Sequence, residues 1–150
     1  MTHTILAIDD SKKILDIIKY FLEQEGYMVK EVGDPVEGIK VAKAGGIDLI
    51  LLDIMMPGMD GYTVCDTLKK DDTTRDIPVI MLTAKAIILH TPKDFFYGLY
   101  GCLAKPFSKQ QLTKVVSEAL RLTKTEEPPA GGGFISNVEG EEGPKPSGPS

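Results

Sequence analysis

The chain has 150 residues, 42% of them hydrophobic and 26% charged, with a net charge of -5 and two cysteines. That balance describes one soluble domain with some residues to spare, large enough to fold without disulfides or metals. It excludes nonspecific nucleic-acid binding as the main task, a disulfide framework, and, since no apolar run reaches roughly 18 residues, a membrane span.

The N-terminus lacks the pattern of a signal peptide. A cytoplasmic setting is therefore expected, with Cys65 and Cys102 as reduced thiols. Thr4 to Ile8 is a short β-rich apolar run ending at Asp9-Asp10. Ser11 is placed to cap a helix whose apolar stripe is Ile14, Leu15, Ile17, Ile18, Phe21 and Leu22, ended by Gly26. Tyr27 to Val32 alternates as a strand. Asp34-Pro35-Val36-Glu37 supplies an N-cap, a first-turn proline and a capping acid, and Gly45-Gly46 stops that second helix. Leu49 to Leu52 is apolar throughout, as suits a parallel strand buried on both faces, and it ends at Asp53. A Pro/Gly loop through Gly61 leads to a helix reaching about Lys70. Val79 to Leu82 is the fourth strand, ending at Thr83. Cys102 to Ala104 is the fifth, ending at Lys105-Pro106. Ser108 and Gln111 form a capping box for a last helix carrying Leu112, Val115, Val116, Ala119 and Leu120.

The final 26 residues differ from the rest. Residues 125–150 hold six Gly, five Pro and five Glu against one Lys, so most of the net charge lies there. Only Phe134, Ile135 and Val138 are large and apolar, too few to offset the entropy of ordering. Residues 1–124 are expected to form the domain and 125–150 a disordered tail or linker. The sharper reading is a docking peptide centred on residues 133–138.

Strands alternating with helices make a parallel sheet covered on both faces, and right-handed crossovers make it doubly wound. Ligands in such folds bind beyond the carboxyl ends of the strands. The polar residues there are Asp9, Asp10, Asp53, Thr83 and Lys105. Clustered carboxylates repel and need compensation, which a hard cation such as Mg²⁺ gives through oxygen ligands. A carboxylate can also act as a nucleophile and form an aspartyl phosphate. In-line phosphoryl transfer then asks mainly for positioning and charge neutralisation. Asp53, ending the most buried strand, is the best nucleophile candidate. Lys105 supplies a positive charge for phosphate oxygens, and the Thr83 hydroxyl a hydrogen-bond donor.

Four motifs in order, each at its strand end, carry a specific resemblance: Asp9-Asp10; Leu51-Leu52-Asp53-Ile54-Met55-Met56-Pro57-Gly58-Met59-Asp60-Gly61; Pro78-Val79-Ile80-Met81-Leu82-Thr83-Ala84; and Lys105-Pro106-Phe107. Over roughly residues 4–122 the chain resembles the receiver domain of two-component response regulators. The resemblance implies an α/β flavodoxin-like fold, with a five-stranded parallel sheet of order 2-1-3-4-5 and five helices. It implies that Asp53 accepts phosphate from a sensor histidine kinase or phosphotransfer protein. It implies that Asp10, Asp53 and the Met55 carbonyl bind Mg²⁺, with Asp9 acting through water. It also implies that Thr83 and Lys105 contact the phosphoryl group and that Lys105-Pro106 is a cis peptide.

Two departures concern the output region. The family usually has Tyr or Phe three residues before the Lys; here that residue is Cys102, expected to pack as a small hydrophobe. Tyr100, two residues earlier, is expected on the same strand face and so placed to substitute. After strand four, Ala86 to His90 is almost wholly apolar and Pro92 follows. A short helix over about residues 92–97 is expected, with Ile87, Ile88 and Leu89 forming the switch and output surface.

The chain is therefore expected to be a stand-alone phosphoacceptor, not an enzyme, signalling to a downstream protein or through a homodimer on its helix 4–strand 5–helix 5 face, without direct nucleic-acid or membrane binding. The alternative is an adaptor that keeps the acidic pocket, signals through its atypical fourth helix and needs no phosphate. An aspartate-based phosphohydrolase is disfavoured, because Met55 stands where the haloacid dehalogenase type has its second Asp.

Overall fold

In a computed structural model, residues 2–56, 58–59, 61–84, 99–122 and 134–136 are described. In chain order the elements are β1 (Thr4–Ile8), α1 (Lys12–Glu23), β2 (Met28–Val32), α2 (Pro35–Lys43), β3 (Leu49–Asp53), α3 (Gly61–Lys70), β4 (Val79–Ala84), β5 (Gly101–Lys105), α4 (Lys109–Leu122) and β6 (Phe134–Ser136). The helix expected near residues 92–97, and with it Ile87, Ile88 and Leu89, lies outside the described residues, so four of the five expected helices are seen.

The helices begin where local chemistry says they should. The Ser11 hydroxyl accepts from the Ile14 N–H at 3.3 Å, and the Asp34 carboxylate accepts from the Glu37 N–H at 2.9 Å. Each satisfies a donor that the first helical turn leaves without a partner. At the start of α4 the Gln111 N–H donates to Ser108 Oγ at 3.1 Å, and the Ser108 N–H donates to Gln111 Oε1 at 2.9 Å. Gly26, with φ at +92°, turns the chain out of α1, a conformation that costs glycine no steric strain.

All strand pairings are parallel, and the order is β2-β1-β3-β4-β5-β6. The first five strands have the flavodoxin-like arrangement. Successive residues of each strand enter opposite layers of the core. Leu6, Ile8, Ile50, Leu52, Met81 and Cys102 pack with Ala42 of α2 and with Val64, Cys65 and Leu68 of α3. Ile5, Ala7, Leu49, Leu51, Ile80, Leu82 and Leu103 pack with Leu15, Ile18 and Leu22 of α1 and with Leu112, Val115 and Val116 of α4. Every residue of β3 is buried, as its continuous apolar run requires.

Phe134–Ser136 extends the sheet as a sixth strand against β5; a strand added to an existing edge needs backbone partners and no core of its own. One expectation needs correction. Tyr100 and Cys102 do not share a face: Cys102 lies in the layer with α2 and α3, and Tyr100 in the layer with α1 and α4. The strand begins at Gly101, so Tyr100 sits in the bend before it and the two-residue period does not apply.

Candidate functional site

β1 and β3 are neighbours, with Ile8 opposite Leu52. The residues that follow these two positions, Asp9-Asp10 and Asp53, therefore emerge side by side at the carboxyl edge. One carboxylate oxygen from each of Asp9, Asp10 and Asp53 lies within 4.8 Å of the others. Asp9 is 1% exposed and Asp53 4%, while Asp10 faces solvent. A cluster of this kind has an open side at Asp10 and a closed side at the other two.

The closed side carries its own compensation. Lys105, at the end of β5, places Nζ 2.8 Å from Asp9 Oδ2 and 3.6 Å from Asp53 Oδ1. The other Asp9 oxygen accepts from the Ser11 N–H at 2.9 Å, so Asp9 is held from both ends. Asp53 Oδ1 also accepts from the Met55 N–H at 3.2 Å. The Asp53 carboxyl is nonetheless held above the ordinary carboxylate range, chiefly by burial. Lys105 and the Met55 N–H oppose that effect, and the charges of Asp9 and Asp10 add to it.

Asp53 lies opposite Leu82, and Thr83 lies opposite Ala104, the residue before Lys105. Thr83 is 2% exposed and stands one residue past the Asp53 rung. The Met55 side chain is 60% exposed beside this site, and the Lys105–Pro106 peptide bond is cis. The loop that carries Met55 is pinned by the Gly61 N–H, which donates to the Ile54 carbonyl at 3.0 Å.

Thus Asp9, Asp10, Asp53 and Lys105 are brought together in one cluster, and Thr83 is set beside it by register. Sequence reasoning missed the backbone partners: the Ser11 N–H for Asp9 and the Met55 N–H for Asp53. The signal lay in the two-residue spacing, which favours a carboxylate bonding the N–H two positions on. It also missed Glu31 of β2, whose Oε1 pairs with Lys12 at 3.1 Å.

Three hard oxygen ligands with one solvent-facing side suit a small divalent cation that keeps its waters, and a carboxylate beside an ammonium suits a reacting phosphoryl group. Residues 5–117 match the response regulator receiver domain, and the chain belongs to that family. A receiver domain is a signalling module. The chain is 41% identical over 119 residues to the DNA-binding dual master transcriptional regulator RpaA of Synechocystis sp., covering 79% of this chain and 49% of that protein. It spans about half the length of the curated relatives it matches. Among solved structures, a putative response regulator from Chloroflexus aurantiacus J-10-fl superposes with a TM-score of 0.75 at 30% identity, covering 81% of this chain and 100% of that one. The chemotaxis protein CheY4 of Vibrio cholerae superposes with a TM-score of 0.70 at 26% identity, covering 80% and 100%. No helix among the described residues is long and apolar enough to cross a membrane.

Proposed function

We propose that this receiver domain accepts a phosphoryl group on Asp53 from a phosphohistidine of a partner kinase or phosphotransfer protein. The observation that carries the reading is the buried Asp53 carboxylate, clustered with Asp9 and Asp10 and set 3.6 Å from the Lys105 ammonium. In the transfer the P–N bond to the donor imidazole breaks, a P–O bond to an Asp53 oxygen forms, and the imidazole nitrogen keeps the electron pair. Lys105 offers its charge to phosphoryl oxygens as it now does to the carboxylates. The Thr83 hydroxyl, one rung along, donates to another. Asp10, Asp53 and the Met55 carbonyl are the residues to hold Mg²⁺, with Asp9 acting through water. The cation supplies neutralisation of charge on the transferring group. Output passes to a downstream protein or a second copy of this chain. The DNA binding named for the Synechocystis relative belongs to a protein of which the match covers 49%.

The test is phosphorylation with acetyl phosphate or phosphoramidate and Mg²⁺. A hydroxylamine-labile label is expected on the wild type and not on Asp53→Asn. Equal uptake by Asp53→Asn overturns the nucleophile assignment. No uptake by the wild type favours the adaptor reading, in which the acidic pocket is retained and phosphate is dispensable. Asp10→Asn is expected to weaken Mg²⁺ binding at least tenfold, followed by titration calorimetry, because it removes one of few protein ligands. Unchanged affinity rejects the metal assignment.

A further inference from the structure

The two edges of the sheet are treated differently. β2, at one edge, carries Lys30 and Glu31, charges of the kind that discourage pairing with another chain. β5 reads Gly101-Cys102-Leu103-Ala104 before Lys105, with its first four residues all buried. Alone it would present an apolar strand with a row of unpaired N–H and C=O groups, a template for any extended segment. Instead Gly101, Cys102 and Leu103 lie opposite Phe134, Ile135 and Ser136 in parallel register.

We propose that residues 134–136 are a resident strand that closes the β5 edge in cis, so that this edge is a peptide-docking edge held shut by the chain's own tail. Three features of the chain support an intramolecular occupant. Parallel pairing requires a crossover connection, and α4 lies between β5 and β6 in the sequence, making β5–α4–β6 one more βαβ unit of the doubly wound plan. The eleven residues between Leu122 and Phe134 span at most about 36–40 Å when extended. The fourteen residues of α4 rise about 21 Å, so eleven residues are enough to return along the whole helix. Residues 130–138 carry no charge, although the tail around them holds five Glu, so the segment that pairs lies in an uncharged stretch flanked by acidic ones.

Three rungs make a weak ladder. Tethering compensates, since a segment joined to its partner through eleven residues of the same chain meets it at an effective concentration of about the millimolar range. A partner reading the β5 edge by strand addition must therefore displace the tail first. This inference is independent of the phosphoacceptor reading, because it concerns backbone pairing alone.

The double variant Ile135→Pro/Ser136→Pro in the full chain tests it: successive N–H groups of a strand face opposite sides, so proline at two neighbouring positions removes a ladder donor whichever of them faces β5. Amide hydrogen exchange within Gly101–Leu103 is expected to quicken at least tenfold, while β1 and β3 amides keep their protection as a control for folding. Equal β5 exchange in the two proteins overturns the proposal. A nitroxide at Asn137→Cys separates cis from trans, because both native cysteines are buried. Broadening of β5 amide resonances is expected when label and isotope are on one chain, and none when they are on different chains in a mixture. Broadening in the mixture assigns the edge to a second copy and rejects the cis strand. Broadening in neither sample rejects the pairing itself.

Discussion

At the scale of single residues, the acidic cluster opposes the fold that carries it. Burial and two neighbouring carboxylates raise Asp53 above its ordinary pKa. A group raised in this way contributes stability below its unfolded pKa of about 3.9, and that contribution is lost as pH rises through the folded value. At neutral pH without divalent cations, Asp53→Asn should therefore raise the melting temperature, by about 4 °C if relief is about 1 kcal/mol. Near pH 3 the gain should vanish. Melts in chelator at both pH values check this, and an equal or lower melting temperature at pH 7 contradicts it. The two thiols are pushed up by burial, Cys65 to about 11 and Cys102 to about 12. Thiolate is the reactive form, so native protein should resist iodoacetamide at pH 8 and react fully in denaturant. Rapid native alkylation would show a more open core. The acids, Thr83 and Lys105 were legible because strand ends could be read from apolar runs. The layer of Tyr100 was not, since Tyr100 lies outside the strand, in the bend before Gly101.

At the scale of elements, caps and apolar stripes were legible because the partners lie three or four residues apart. Close approaches between elements were not. A Cβ at Gly61 would sit 2.2 Å from the Ile54 Cα, and a Cβ at Gly38 would sit 2.6 Å from the Ile8 Cδ1. The first clash is with backbone and no rotamer relieves it; the second is with the buried Ile8 side chain, whose Cγ1 would also lie 2.9 Å away, so Ile8 must repack within the core. Gly61→Ala should cost about 3 kcal/mol and Gly38→Ala less, about 1–2 kcal/mol, on the usual scale of overpacking. Urea midpoints compare them directly, and the reverse ranking would show that the Ile54–Gly61 loop shifts freely. Because that loop carries Met55, whose N–H holds Asp53, Gly61→Ala should also weaken Mg²⁺ binding.

At the scale of the whole molecule, alternating periods announced a parallel sheet under helices, and the structure has one. The sixth strand was illegible because three residues in a Gly/Pro-rich tail show no period; only the edge they join gives them a place. The interior position of β1, between β2 and β3, bears on how the chain folds. Among the described residues no ladder joins strands linked by a hairpin, and the β1–β2, β1–β3, β3–β4 and β5–β6 pairings each close a loop around a helix before they gain anything. Folding should be slow for this size, as for other topologies rich in distant contacts. β1 is needed by both of its neighbours, so its contacts are expected in the folding nucleus and those of β5 afterwards. Leu6→Ala should therefore slow refolding, whereas Leu103→Ala should mainly speed unfolding. Chevron plots with similar shifts on both limbs for both variants would instead mean that the sheet assembles in one step from either side.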